Sequence, residues 1–508
     1  MSDRFYITTA IAYPNGKPHM GHAYEAIASD AIARFKRLDG FDVRFLTGTD
    51  EHGLKIDQAA KAAGVSPREY VDGTSQPFID LDRQLGISFD RFIRTTDPDH
   101  RALCEALWQR MAANGDLYLG RYEGWYSVRD EAYYDEAELV TGEDASGNPV
   151  KLSPQGTPVE WTVEESWFFK LSAYAEPLLK LYAEQPDFIQ PLSRFNEMRS
   201  FVAGGLSDLS ISRTSFDWGI PVPGSPGHVM YVWVDALANY LTGAGGIGGE
   251  WWPADLHIIG KDVVRFHAIY WPAFLMSAGL ALPKTVFGHG FVLNRGVKMS
   301  KSDGNVVDPA AMAERFGVDR LRWFLLREVA FGEDGSYSDE AIIERTNADL
   351  ANGIGNLAQR ALSMVAKNLG GVMPAPAAHE GVAALTDSIK ALTEAYFAAM
   401  NGLQLHRALE AVMGMVSAAN GFFAEAAPWK LAKTDEAAMA GVLAVTLDAT
   451  RRIVLLVQPF MPESTAALLD QLGVASDARD FKAFNTAVAA GTQLPIPQGV
   501  FPRWAEPA

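Results

Sequence analysis

The sequence predicts an α/β protein: a Rossmann-like parallel sheet split by an α+β insertion and followed by a C-terminal α-helical bundle. Three observations carry that prediction. An apolar run, a helix-period run and a second apolar run follow one another before residue 49, as in a β-α-β unit. A second α/β stretch runs from Met230 to Gly290, and after residue 346 the chain turns long, alanine-rich and helical in period. With 508 residues, and roughly 100–200 residues per domain, two to four domains are expected.

The elements follow in order. "RFYITTAIAY" (4–13) reads as a buried strand. From His22 to Leu38, Ala23, Ile27, Ala31 and Phe35 recur every four residues, while Asp30, Arg34 and Lys36 lie off that line, so this is an amphipathic helix. Gly40 stops it, and "DVRFLTG" (42–48) is the next strand. Such a unit is right-handed, with helices covering a parallel sheet. The expected divisions are 1–114 for the first half of the Rossmann-like domain, 115–225 for a connective insertion rich in aromatics and turns, and 226–290 for the second half. A linker domain with a lysine-bearing loop takes 291–345, and the helical domain with its tail takes 346–508. "GGVMPAPAAHEG" (370–381) is a loop within the helical part.

Composition narrows the class. At 48% hydrophobic and 21% charged residues the chain can bury a large core. Cys104 is the single cysteine, which excludes an internal disulfide and a four-cysteine zinc site and suits a reducing compartment. "MSDRFYITTA" lacks the marks of a signal or transit peptide, and no apolar run reaches ~18 residues, so no membrane span and a cytoplasmic location are expected. A net charge of −18 opposes indiscriminate nucleic-acid binding but leaves room for a local basic face.

Two stretches carry the chemistry. "PNGKPHMGHAYE" (14–25) sits where a strand turns into a helix, which places free N–H groups of a helix N-terminus at the carboxyl edge of the sheet, a phosphate site. Gly21 has no Cβ, which permits close approach of a ligand, and His19 and His22 can donate to phosphate oxygens. The plainer alternative is a turn with two half-exposed histidines. "GVKMSKSDGN" (296–305) sets Lys298 and Lys301 in a Gly/Ser-rich loop, suited to a polyanion whose charge shifts during reaction. Its plainer alternative is a solvated surface turn.

Together, His-x-Gly-His and "KMSKS" resemble the paired hallmark of class I aminoacyl-tRNA synthetases. Within that class the chain is similar to the methionyl-tRNA synthetases nearly end to end, through "YPNGKPHMGH", "FLTGTDEHG", "YEGWYSVRDE", "SRTSFDWGIPVP", "YVWVDALANY", "IIGKDVVRFHAIYWPAFL", "KMSKS" and "NLAQR". The resemblance implies activation of L-methionine with ATP and Mg²⁺, then transfer to tRNA(Met), initiator tRNA included. It implies a methionine pocket lined by Ile11, Tyr13, Trp233, Ala236, Tyr240, Val263, His267 and Trp271, with Asp50 receiving the α-ammonium. By spacing alone, Trp233, Ala236 and Tyr240 or Val263, His267 and Trp271 would pass for core stripes. The triphosphate contacts it implies are His19, His22, Lys298 and Lys301; Gly260 and Asp262, at a strand end, fall to the ribose of ATP, although Gly260 could simply cap.

In the helical region, Asn356 and Arg360 are spaced i, i+4, and Trp429 follows Pro428, a residue suited to a first helical turn. The resemblance implies that these three contact the anticodon; the alternative for Trp429 is a packed helix start. One departure stands out. Many relatives hold zinc through cysteine pairs in the insertion, but here "GWYSVRDEAYYD" has Ser127 and Asp130 in those places, so no zinc is expected. Two rival readings predict a different sequence: another small nucleotidyl transferase would lack the helical domain, and an inactive tRNA-binding or scaffold protein would lose the histidines or lysines. A monomer is expected.

Overall fold

The computed structural model describes residues 3–130, 132–143, 149–297, 299 and 305–506. Six strands form one sheet: β1 (Arg4–Thr9), β2 (Asp42–Thr49), β3 (Arg91–Arg94), β4 (Ile189–Gln190), β5 (Leu256–Gly260) and β6 (Val286–His289). They run in the order β3-β2-β1-β5-β6-β4, every pairing parallel. The chain first builds outward from β1 through β2 to β3, then continues on the other side of β1. Such a reversal opens a crevice beyond the carboxyl ends of the central strands.

Strand β1 is shorter than "RFYITTAIAY" suggests. It ends at Thr9, and of the next residues only Ala12 touches β2, bridging Thr49 and accepting a 2.8 Å bond from the Asp50 N–H. Beyond Thr9 the regular ladder ends, although Ala10 still donates to the Ile258 carbonyl of β5, and the apolar residues Ala10 to Tyr13 become available to line the crevice. Helix α1 (Met20–Leu38) buries the expected stripe of Ala23, Ile27, Ala31 and Phe35. Its opposite side is not solvated as the pattern suggests: Asp30 is fully buried, because the helix Val318–Glu328 covers it with Arg322.

Residues 115–225 hold a long antiparallel ribbon, Leu117–Ser127 against Glu160–Phe169, joined by Ala132–Tyr134 and Leu209–Ser210. The same segment also supplies β4, which extends the catalytic sheet beside β6. In the linker, Val292–Asn294 pairs with Gly335–Tyr337 in parallel. The helices Asn356–Asn368, Val382–Asn401, Leu405–Ala426, Glu436–Val457 and Pro462–Gln471 then form the bundle. One hydrophobic core runs from α1 into that bundle, with Phe35 set against Tyr396, Phe397 and Phe481. Among the described residues, no helix is long and apolar enough to cross a membrane.

Candidate active site

Residues that follow the carboxyl ends of β1, β2, β5 and β6 line one cleft of about 400 Å³. The expected site residues Ile11, Tyr13, His19, Gly21, His22, Asp50, Trp233, Gly260, Asp262 and Val263 all border it. Lys298 and Lys301 lie outside the described residues.

His19 is the N-cap of α1. Its Nδ1 accepts from the Gly21 N–H at 3.1 Å, while His22 Nδ1 accepts from the His19 N–H at 3.1 Å. The two rings stack at 3.7 Å, and His22 meets the edge of Phe78 at 5.1 Å. The reciprocal cap fixes more than the helix start. A neutral imidazole whose Nδ1 accepts carries its proton on Nε2, so both rings become Nε2–H donors. Gly21 serves the same device: a Cβ there would stand 3.0 Å from the His19 ring.

The expected methionine-pocket residues divide into two groups. Trp233, half-buried on helix α2 (Val232–Gly243), stacks on Phe266 at 3.8 Å with the rings 3° apart, and borders the cleft beside Val263. Ala236, Tyr240, His267 and Trp271 are buried and do not border it. They form the layer behind: the Tyr240 hydroxyl bonds His267 Nε2 at 2.6 Å, and His267 Nδ1 bonds the Val263 carbonyl at 2.9 Å. Burial pushes His267 down to about 4, so its ring is neutral at pH 7, donating from Nδ1 and accepting at Nε2. His267 lies in a π-helical turn, Phe266–Tyr270, which breaks the simple i, i+4 register that the sequence suggests. Gly260 is extended (φ −64°, ψ 145°) and is the N-cap of the short 3₁₀ turn Lys261–Val263, not a C-cap; a Cβ on it would meet the Asp262 carboxylate at 2.6 Å.

Sequence reasoning missed several cleft residues. Glu25 lies three residues beyond His22, on the same helix face, and its Oε2 bonds His289 Nε2 at 2.8 Å, while His289 Nδ1 bonds the Gly290 carbonyl at 2.8 Å. Burial pushes the Glu25 carboxyl up, and the bond to His289 pulls against it. Helical spacing from the histidine turn could have found Glu25; nothing local singles out His289. Arg129, Asp130 and Gln155 also border the cleft, so the insertion's tip reaches over it, and Arg129 brings a guanidinium to its edge.

Behind Arg129, the stretch expected to lack zinc is a knot of hydroxyls around one carboxylate. Asp130 Oδ2 accepts from Ser153 at 2.6 Å, from Tyr134 at 3.0 Å and from Thr157; Ser127 Oγ meets Thr157 Oγ1 at 2.7 Å. Ser127, Ser153 and Thr157 are buried. A structural zinc site wants thiolates or imidazoles, and this donor set offers neither.

In the helical region, outside the lining of the cleft, Asn356 opens the helix Asn356–Asn368 directly after the π-helical stretch Thr346–Gly355, and Arg360 lies one turn on. The Arg360 guanidinium stands 4.7 Å from the Phe423 ring and 5.4 Å from the Trp429 ring, and Trp429 is 41% exposed. Pro428 occupies the first turn of the helix Pro428–Leu431, as expected. The three expected anticodon residues thus occupy one region, with Arg360 and Trp429 in direct contact.

The comparisons with known proteins agree in direction. A family model described as tRNA synthetases class I (M) matches residues 5–362, and one described as the anticodon binding domain of methionyl tRNA ligase matches residues 373–507. The chain is 58% identical over 513 residues to the methionine–tRNA ligase of Mesorhizobium japonicum, covering 99% of this chain and 98% of that one. It is 57% identical to the methionine–tRNA ligase of Mycobacterium tuberculosis over 517 residues, again covering 99% and 98%. A solved structure of the Mycobacterium tuberculosis methionyl-tRNA synthetase in complex with methionyl-adenylate superposes with a TM-score of 0.95 at 56% identity, over 99% of this chain and 100% of that one.

Proposed function

The chain belongs to the methionyl-tRNA synthetases of class I, and from that premise we propose how its residues divide the work. Its activity is methionine–tRNA ligation: L-methionine and ATP give methionyl-adenylate and pyrophosphate, and the methionyl group passes to tRNA for protein synthesis. The observation that carries the residue assignment is the convergence of the His19–His22 cap, Asp50 and the Trp233 wall on one cleft.

In the first step a methionine carboxylate oxygen attacks the α-phosphorus of MgATP in line, and the bond to pyrophosphate breaks. The carboxylate is ionised at neutral pH, so no general base is needed, and catalysis is positioning plus stabilisation of charge on phosphate oxygens. The Nε2–H groups of His19 and His22 supply donors, and Lys298 and Lys301 supply charge as it builds on the leaving group. Gly260 and Asp262 meet the ribose. Asp50 takes the ammonium, and Ile11, Tyr13, Trp233 and Val263 face the side chain. Ala236, Tyr240, His267 and Trp271 back that wall, with His267 neutral, so the thioether meets aromatic and uncharged groups. In the second step a terminal ribose hydroxyl of the tRNA attacks the adenylate carbonyl and AMP leaves. Asn356, Arg360 and Trp429 read the anticodon of initiator and elongator tRNA(Met). The enzyme works as a cytoplasmic monomer, and its insertion works without zinc, because the knot offers hydroxyls and the single Asp130 carboxylate but no thiolate or imidazole.

Amino-acid-dependent ATP–pyrophosphate exchange across all twenty amino acids tests this reading. Methionine is expected to drive it, and leucine or isoleucine at comparable kcat/KM would defeat it. Asp50→Asn is expected to raise the methionine KM far more than the ATP KM, since stranding the ammonium's partner costs about 2–5 kcal/mol.

A further inference from the structure

Asp235 lies on α2 between Trp233 and Ala236, and its side chain is 1% exposed. A carboxylate so deeply buried is costly unless each oxygen is paired. Here each is: Oδ2 bonds His52 Nδ1 at 2.6 Å, and Oδ1 bonds His100 Nε2 at 2.7 Å. His100, on the helix Pro98–Ala113, holds Thr242 Oγ1 of the same Val232–Gly243 helix at 2.9 Å through its other nitrogen. Burial pushes the Asp235 carboxyl up, but the two histidines more than reverse this and hold it below the usual carboxylate range.

His52 stands two residues beyond Asp50 on the segment that leaves β2. The residue between them, Glu51, is fully buried and anchored on its far side. Its carboxylate accepts from Thr49 at 2.8 Å and from Ser75, Arg94 and Thr96 at 2.6 Å each, and its carbonyl accepts from the Trp218 indole at 2.7 Å. One side of the 50–52 segment is therefore tied to the sheet and its neighbours. The other side is tied through His52 to the helix that carries Trp233.

From this bridge we infer that Asp235 and His52 are positioning residues for methionine: they set the separation between the Asp50 carboxylate and the Trp233 wall. The inference rests on the reading of the cleft given above. A single ligand must reach both groups at once, its ammonium at Asp50 and its thioether at the wall. Neither group is on the same element as the other, and the His52–Asp235 bond joins the two elements. Binding geometry has to hold to about 0.5 Å to be productive, and two buried hydrogen-bonded side chains provide such a constraint where a mobile loop would not.

The cluster is a hydrogen-bond bridge rather than a metal centre. His100, Cys104 and Asp235 are the one group of such ligands, among the described residues, close enough to hold an ion. However, the His100–Asp235 contact of 2.7 Å is shorter than the ~3.3 Å that two ligands at ~2.0 Å keep around tetrahedral zinc.

The geometry of the amide side chains provides the test. Asparagine places its amide nitrogen where histidine has Nδ1; glutamine reaches the place of Nε2. The full-length enzyme with His52→Ala, His52→Asn, His52→Gln, Asp235→Asn and the double change His52→Ala/Asp235→Asn is compared in ATP–pyrophosphate exchange, with thermal unfolding followed in parallel. His52→Ala is expected to raise the methionine KM about tenfold or more while the ATP KM stays within about twofold, a small misplacement being able to cost up to ~100-fold. His52→Asn is expected to recover most of that loss and His52→Gln little of it. The double variant is expected to be no worse than the more impaired single one, because both changes break one bridge. Equal behaviour of Asn and Gln, additive losses, or an unchanged methionine KM in folded His52→Ala would overturn the inference, as would stoichiometric zinc that is lost on Cys104→Ser. Wild-type exchange that methionine does not drive would instead strike the functional reading itself.

Discussion

Asp30 and Asp82 are both buried, Asp82 feels the charge of Asp30, and the two carboxyls shift in opposite directions. Burial raises Asp30, but the guanidinium groups of Arg322 and Arg34 and the bonds from Ser88 outweigh it, so its carboxyl sits below the usual range. For Asp82, which borders the cleft, burial raises the carboxyl, the charges of Asp30 and Glu25 raise it further, and it reaches about 7. The sign of the consequence follows. Between pH ~4 and ~7 the folded state keeps the Asp82 proton that the unfolded chain, with a pKa near 3.9, gives up, so this residue costs stability increasingly as pH rises. Asp82→Asn is therefore expected to stabilise the fold at pH 8 by roughly 2–4 kcal/mol and hardly at all at pH 4. Urea unfolding at the two pH values measures it, and an equal gain at both would mean the carboxyl is not protonated in the native state.

At the scale of elements, two short pieces make separate statements. The helix Pro428–Leu431 follows Ala427, which sits at φ 45°, a left-handed turn that costs a non-glycine residue energy and here swings Trp429 beside Arg360. The indole and the guanidinium are already assembled before any base arrives. Trp429→Ala should weaken tRNA aminoacylation by ~1–3 kcal/mol in kcat/KM, the usual worth of one stacked base, and leave pyrophosphate exchange intact. Equal loss in both assays would make Trp429 a core residue instead. The tip of the insertion makes the second statement. Its Ser127–Asp130–Ser153–Thr157 knot contains no thiolate or imidazole, so prolonged chelation in excess Mg²⁺ should leave aminoacylation unchanged. Asp130→Ala, which removes the acceptor shared by the Ser153, Tyr134 and Thr157 hydroxyls, should destabilise the tip by ~1–3 kcal/mol. Loss of activity on chelation, restored by zinc, would contradict this.

Over the whole molecule, one guanidinium links three parts of the chain. Arg322 bonds Asp30 on α1 at 2.6 Å, Leu85 in the catalytic half at 3.2 Å, and the carbonyls of Pro459 and Phe460 in the bundle at 3.0 Å each. Helix α1, whose N-terminus carries His19 and His22, is thus held between the sheet and the helical region. Arg322→Met is expected to cost about 3–5 kcal/mol, since it leaves Asp30 charged and buried, whereas Arg322→Met with Asp30→Leu should cost less than the single change. Because the folded Asp30 pKa is depressed, the wild-type contribution is present above the unfolded pKa and is lost as pH falls through the folded one, below pH ~4. Denaturation of the three proteins at pH 7 and pH 3 checks both points; a double variant as unstable as the single one would mean the pair is not the source.

The sequence by itself determined the β-α-β start, the histidine turn at the head of α1, the division into a split sheet and a helical bundle, and the family. These are encoded locally, in periods of two and four and in short motifs whose residues are neighbours in the chain. Tertiary structure alone decided the rest. It took Ala10–Tyr13 out of β1, brought β4 back into the catalytic sheet, buried Asp30, and moved Tyr240, His267 and Trp271 behind the cleft wall rather than onto it. It also joined His52 to Asp235 and Glu25 to His289 across more than a hundred residues. No pattern of nearby residues records such pairs. Whether a buried histidine or carboxylate is a cost or a constraint depends on which partner packing brings to it, and that partner comes from another part of the chain.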